Sequence, residues 1–339
     1  MIGVPALSIA KSVPLSRSAR PWGLILPAVF IVVSGWQSAG AMLEWKLIGS
    51  HALIYTEAAR TWLAGGDPWS VGPPSVVFAG PPTMLLPFVP FALLAGEITR
   101  WAWVLGDLAV AIAVLKALKL PAWWLAFPPL VSAIELGHPE VLILGLLLVK
   151  GPIAGLAAVV KPYAVLPLVA ERNWSGLAVA AITVVVTVPF LPWGMFMTNM
   201  PHITATLASQ WVGDSVYGQP VLVSLILVAA VPLGLRRFLW LATPVLWPYA
   251  QPIYKVPSLP MMSPLIALAW SIPIPGMTAV GLLGAASLCL VARRWALPPW
   301  LYRGLDSPLL AFDREGRTAD RTAGLVAAPI LSARAQSSR

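Results

Sequence analysis

The sequence holds few residues able to do chemistry, and they fall into small groups on an apolar background. Ser50-His51 and Tyr55 form the first group; His51 and Tyr55 are four apart, so on a helix they share a face. A neutral histidine there suits general-base removal of a hydroxyl proton. An interfacial histidine in the headgroup zone is the plainer alternative. Glu135, His138 and Glu140 form the second, between short apolar pieces. One imidazole and two carboxylates could ligate a cation, but their spacing matches no closed metal site. A helix break that turns polar groups toward an internal cavity fits better. Lys161-Pro162-Tyr163 is the third, midway along an apolar run. A lysine there needs an anionic ligand or an acid partner, with Asp107 the available one. The fourth runs from Trp247 through Tyr249 and Gln251 to Tyr254 and Lys255, and also reads as an aromatic interface belt.

Those groups need elements to hold them, and composition says which kind. Of 339 residues, 58% are hydrophobic and 10% charged, with mean hydropathy +0.82. A soluble globular protein carries roughly 25% charged residues. The net charge of +9 is concentrated at the ends. Lys11, Arg17 and Arg20 precede the first apolar run. From Arg293 onward there are eight arginines and four acids, which leaves +2 for residues 21–292. This pattern fits membrane flanks and excludes an ordinary nucleic-acid groove. The lone Cys289 excludes an internal disulfide framework and a cysteine metal cluster. No phosphate-cradling glycine loop, HExxH or GxSxG is present.

Hydropathy predicts an all-α, polytopic membrane protein with ten or eleven spans. They lie near 22–43, 81–96, 101–118, 121–135, 139–150, 152–170, 174–193, 219–235, 238–254, 257–274 and 276–292. Thirty-five prolines imply kinked and interrupted helices. The expected organisation is a cytoplasmic tail over 1–21, a transmembrane domain over 22–292 and a basic, disordered tail over 293–339. Within the domain, 44–80 is a first outer loop, with an amphipathic helix over 51–63 on the membrane surface. Its apolar face is expected from Leu53, Ile54, Ala58, Trp62 and Leu63, ended by the turn Gly65-Gly66-Asp67-Pro68.

In this order, four patches resemble the polyprenol-phosphate-sugar-dependent membrane glycosyltransferases of glycosyltransferase family 87, a GT-C fold class that includes bacterial alpha-1,2-mannosyltransferases. They are GSHALIYTEAARTWLAGGDPW from Gly49, Gly80-Pro81-Pro82, the stretch from Gly137 to Leu168 with its Lys161-Pro162, and TPVLWPYAQPIY from Thr243. The resemblance implies a GT-C-like fold in the cell membrane. It implies transfer of a hexose, mannose foremost, from a polyprenyl-phosphate donor to a lipid or glycan acceptor outside. No cofactor, metal or nucleic acid is expected. Aligned through Tyr55, Ala58 and Ala59, the family's catalytic acid falls on His51, with Asp67 the competing base in the same loop. With an imidazole base, activity is expected to fall as pH drops through about 6 to 7. Tyr55, His138, Glu140, Trp247 and Tyr249 fall on substrate-binding patches, and Lys161, Arg60 or Lys255 would offset the charge of the leaving phosphate. Two rival readings are a lipid or small-solute transporter or flippase, and an inactive relative that binds lipid-linked sugar.

Overall fold

The computed structural model describes residues 20–43, 47–72, 78–149, 151–209, 215–248 and 250–294. The two tails, apart from Arg20, Pro21, Arg293 and Arg294, and the candidate Tyr249 lie outside the described residues. Among those described, every regular element is an α- or 3₁₀-helix. In order they are α1 (Arg20–Leu43), α2 (Ser50–Leu63), α3 (Gly96–Ala117), α4 (Pro128–Leu136), α5 (Glu140–Leu148), α6 (Gly155–Val160) and α7 (Val165–Ala170). After these come α8 (Trp174–Thr187), α9 (Trp193–Ser209), α10 (Pro220–Val228), α11 (Ala230–Leu233), α12 (Leu235–Leu246), α13 (Pro264–Ser271) and α14 (Met277–Arg294).

Proline decides where helices stop. The segments Pro82–Phe91 and Pro252–Met261 are 3₁₀-helices, each with two internal prolines three apart: Pro87 and Pro90, Pro257 and Pro260. Proline lacks the N–H and clashes with the carbonyl four residues back; α1, α9 and α12 each carry one internal proline, but two prolines three apart are not accommodated in an α-helix here. A three-residue turn stacks residues i and i+3 and accommodates the spacing. For this reason the runs at 81–96 and 257–274 are not single α-helices. The run at 152–170 is split likewise, at Pro162, into α6, a 3₁₀ turn and α7.

Among the described residues, α3 alone is a single helix long and apolar enough to cross a membrane. The pair α4 and α5, bent by 113°, reaches that length when taken as one broken span. The short pieces at 121–135 and 139–150 are thus the two arms of a break. Residues 194–218, left between the expected spans near 174–193 and 219–235, hold most of α9 (Trp193–Ser209).

The helix expected over 51–63 is present as α2, but its packed face is rotated. The buried residues are Ala52, Tyr55, Thr56, Ala58 and Ala59, while Leu53, Ile54 and Trp62 are half-buried and Leu63 is exposed. Positions 52, 55, 56 and 59 follow helical spacing. Small alanines let α2 lie close against Pro82–Phe91, α3 and α4. Two glycines permit the approach. Gly137, at φ +64, caps α4, and a Cβ there would sit 2.9 Å from the Ala52 Cβ. Gly49, at φ +66, donates its N–H to the Glu135 carbonyl at 2.6 Å.

Candidate functional site

Four polar or aromatic side chains around one cavity stand directly before a proline: His138, Lys161, Trp247 and Gln251. A residue before proline is pushed out of the α region into extended backbone. Lys161 has φ −136 and ψ 116, Trp247 φ −70 and ψ 131, and Gln251 φ −83 and ψ 159. Each therefore sits where a helix ends or a 3₁₀ turn begins.

The cavity has a volume of about 560 Å³, within the range of roughly 300–1,000 Å³ usual for small-molecule sites. His51, Tyr55, His138, Lys161 and Trp247 line it, so five of the sequence candidates from four separate segments meet there. Aromatic walls come from Tyr163, Trp193, Phe196, Tyr217 and Tyr254. The ring centroids of Tyr163 lie 5.5 Å from Trp247 and 5.3 Å from Tyr254.

A buried chain of polar groups joins α2 to the α4–α5 break. The Tyr55 hydroxyl lies 2.7 Å from His138 Nε2. On the other side of the ring, His138 Nδ1 faces Glu140 Oε1 at 3.4 Å. Glu140 has no exposed surface, and both its oxygens are buried behind the cavity wall. It also faces Lys161 and Tyr163. Lys161 Nζ lies 5.4 Å from the Tyr254 ring centroid and faces the Tyr254 hydroxyl and Glu140. The acid whose field it feels, without ion-pair contact, is Glu140 rather than Asp107, which is buried on α3 and itself faces Glu140.

His51 stands beside this chain, its ring 5.1 Å from that of His138 and 6.0 Å from that of Tyr55, centroid to centroid. Burial first, then the positive fields of His138 and Lys161, push its imidazole down to about 3. It is neutral at pH 7 and stays so well below pH 6. The expected fall of activity between pH 6 and 7 therefore does not follow from His51. Burial likewise holds the Tyr55 phenol well above the usual tyrosine range, helped by Tyr254 and Glu140.

Three candidates lie away from the cavity. Arg60 pairs with Glu57 and donates to the carbonyls of Ala92 at 3.0 Å and Leu94 at 3.3 Å, tying α2 to the end of Pro82–Phe91. Asp67 caps the turn Pro68–Ser70, where Oδ1 accepts from Trp69 N–H at 2.9 Å and Oδ2 from Asn199 at 3.0 Å. Lys255 is buried and donates to the Trp270 carbonyl at 3.1 Å. Among the wall residues, Trp193, Phe196 and Tyr217 were not candidates. The first two come from α9, whose rows of methionine, threonine and asparagine give no chemical signal. Among the described residues no group of three or more His, Cys, Asp or Glu side chains could hold a metal ion. No protein family, no curated protein and no solved structure matches the chain.

Proposed function

We propose that the chain is a multi-pass membrane glycosyltransferase that moves a hexose from a polyprenyl-phosphate carrier to a hydroxyl of a lipid or glycan acceptor. The observation that carries this reading is the cavity itself, where two neutral-capable imidazoles and one lysine meet within aromatic walls. Transfer needs a group to take the acceptor's proton and positive charge where the phosphate leaves. An imidazole at the cavity wall serves the first need and Lys161 the second. Aromatic faces suit packing against a sugar ring and a prenyl chain.

The outer surface supports a membrane setting. Val185, Val221 and Val231 are 69, 72 and 73% exposed, and Leu93, Ile182, Phe190, Val228 and Leu235 are exposed as well. Apolar surface of this extent is costly in water and neutral in lipid. A transporter or flippase is favoured by one observation: the α4–α5 break and the Lys161 break both open on the same cavity.

Purified protein incubated with radiolabelled polyprenyl-phosphate-mannose and membrane lipid extract, resolved by thin-layer chromatography, separates these readings. A new labelled product supports transfer. Movement of the donor across a vesicle bilayer without product supports the flippase. Donor binding with neither supports an inactive relative.

A further inference from the structure

We propose that Tyr55, His138 and Glu140 form a proton relay, and that its outer end, Tyr55 Oη, takes the proton from the acceptor hydroxyl. The inference rests on the transferase reading and names which imidazole serves it.

Each nitrogen of His138 faces one group, though only Nε2 is in hydrogen-bond contact. Nε2 is 2.7 Å from Tyr55 Oη, and Nδ1 faces the Glu140 carboxylate at 3.4 Å. A carboxylate beside Nδ1 favours the tautomer protonated there, which leaves Nε2 to accept from the phenol. Both side chains line the cavity, and with Nε2 taken up by the Tyr55 hydroxyl the route from a substrate hydroxyl to this nitrogen runs through Tyr55. His51, by contrast, has no carboxylate within 4.0 Å of its ring nitrogens among the described residues, so no acid stands beside it to support a charge. Glu140 supports a charge on His138 and is in turn balanced by Lys161.

The step balances as follows. The acceptor oxygen forms its bond to the anomeric carbon, and the bond from that carbon to the phosphate oxygen breaks, its electron pair leaving on phosphate. The acceptor's proton passes to Tyr55 Oη while the phenol's own proton passes to His138 Nε2. The imidazolium so formed is held by Glu140. Because burial disfavours a free phenolate at Tyr55, the two proton transfers occur together rather than in sequence. The proton returns through Tyr55 to the departing lipid phosphate.

Tyr55 is the catalytic residue of the relay, and His138 and Glu140 are positioning residues behind it. The test uses the full chain in lipid nanodiscs, with polyprenyl-phosphate-mannose as donor and membrane lipid extract as acceptor. Tyr55→Phe keeps the ring packed on Phe78 and Phe88. It is expected to slow single-turnover transfer by roughly 10²–10⁴-fold, with donor Kd unchanged within about twofold. His138→Gln is expected to match it. Transfer by Tyr55→Phe within about threefold of the wild-type rate, with the loss falling on His51→Ala instead, would overturn the relay. A second measurement does not depend on turnover. In ¹⁵N-histidine spectra the resonance lost in His138→Gln should report the Nδ1–H tautomer and shift in Tyr55→Phe. An Nε2–H tautomer would overturn the relay even if the enzyme is active. An inactive wild type whose His138 shows the Nδ1–H tautomer would overturn the transferase reading and leave the relay geometry standing.

Discussion

Tyr55 and His138 stand 83 positions apart in sequence and meet at 2.7 Å, hydroxyl to ring nitrogen, in a buried contact between α2 and the break that separates α4 from α5. The contact depends on backbone as much as on side chains. Gly137 caps α4 after Leu136, Pro139 stands at the N-cap of α5, and the alanines of α2 let the two elements close on each other. A pair of polar groups buried at such a junction constrains both elements, because neither group can be left unpaired without cost.

Gly137→Ala tests that junction. The substitution forces an L side chain into the left-handed region, at about 1–2 kcal/mol, and brings a Cβ to 2.9 Å from that of Ala52. Gly65→Ala is the control, since Gly65 has φ +81 and nothing within 4 Å. Thermal melting in detergent should show the larger loss for Gly137→Ala. Equal losses would mean that the close approach of α2 to the break contributes nothing.

The pair Lys161 and Glu140 should behave as one unit. The two are not in ion-pair contact, but each is an opposite charge felt by the other in a buried site, so removing one leaves the other less compensated, at a cost of up to about 3–5 kcal/mol. Lys161→Met and Glu140→Gln are each expected to destabilise the protein, and the double variant to recover part of the loss. Denaturant titrations of all four proteins decide it. Strictly additive losses would show that the two side chains do not sense each other.

The His51 imidazole carries a pH signature in stability. Its folded-state pKa of about 3 lies below the ordinary value of 6.5. Below pH 6.5 the unfolded chain takes a proton that the folded protein refuses until pH nears 3, so stability falls as pH drops across that window. His51→Gln removes the contribution. Between about pH 7 and pH 4.5 the thermal midpoint of the wild type should fall more steeply than that of the variant. Parallel curves would contradict the burial of a neutral imidazole at position 51.

Sidedness is open to labelling at α2. Thr56 is buried, whereas Glu57 is exposed, so Glu57→Cys in a Cys289→Ser background is the position to use. A membrane-impermeant maleimide should label it from outside intact cells. Labelling from the cytoplasmic side alone would reverse the proposed orientation.

Sequence carried the helical class, the extent of α2 and the break at His138-Pro139-Glu140, because these are set locally by hydropathy, turn chemistry and proline. It also carried five of the residues that line the cavity, His51, Tyr55, His138, Lys161 and Trp247, mostly through rare polar side chains in apolar surroundings. It did not carry the placement of Arg60 and Lys255. Both donate to backbone carbonyls, Arg60 to Ala92 and Leu94 besides its pair with Glu57, Lys255 to Trp270, and a carbonyl partner leaves no trace in side-chain pattern. Asp67, the competing base expected in the loop, is occupied as the cap of the turn Pro68–Ser70 and by Asn199. Tyr254 becomes part of the site only because Pro252–Met261 packs against α5, a pairing that periodicity within either segment does not show.

The most direct measurement of the central claim is a cryo-electron microscopy structure of the purified chain in nanodiscs with polyprenyl-phosphate-mannose. The account predicts the sugar within the cavity between Tyr55 and Trp247, with its phosphate against Lys161. Well-ordered donor bound elsewhere, with this cavity filled by other side chains, would contradict it.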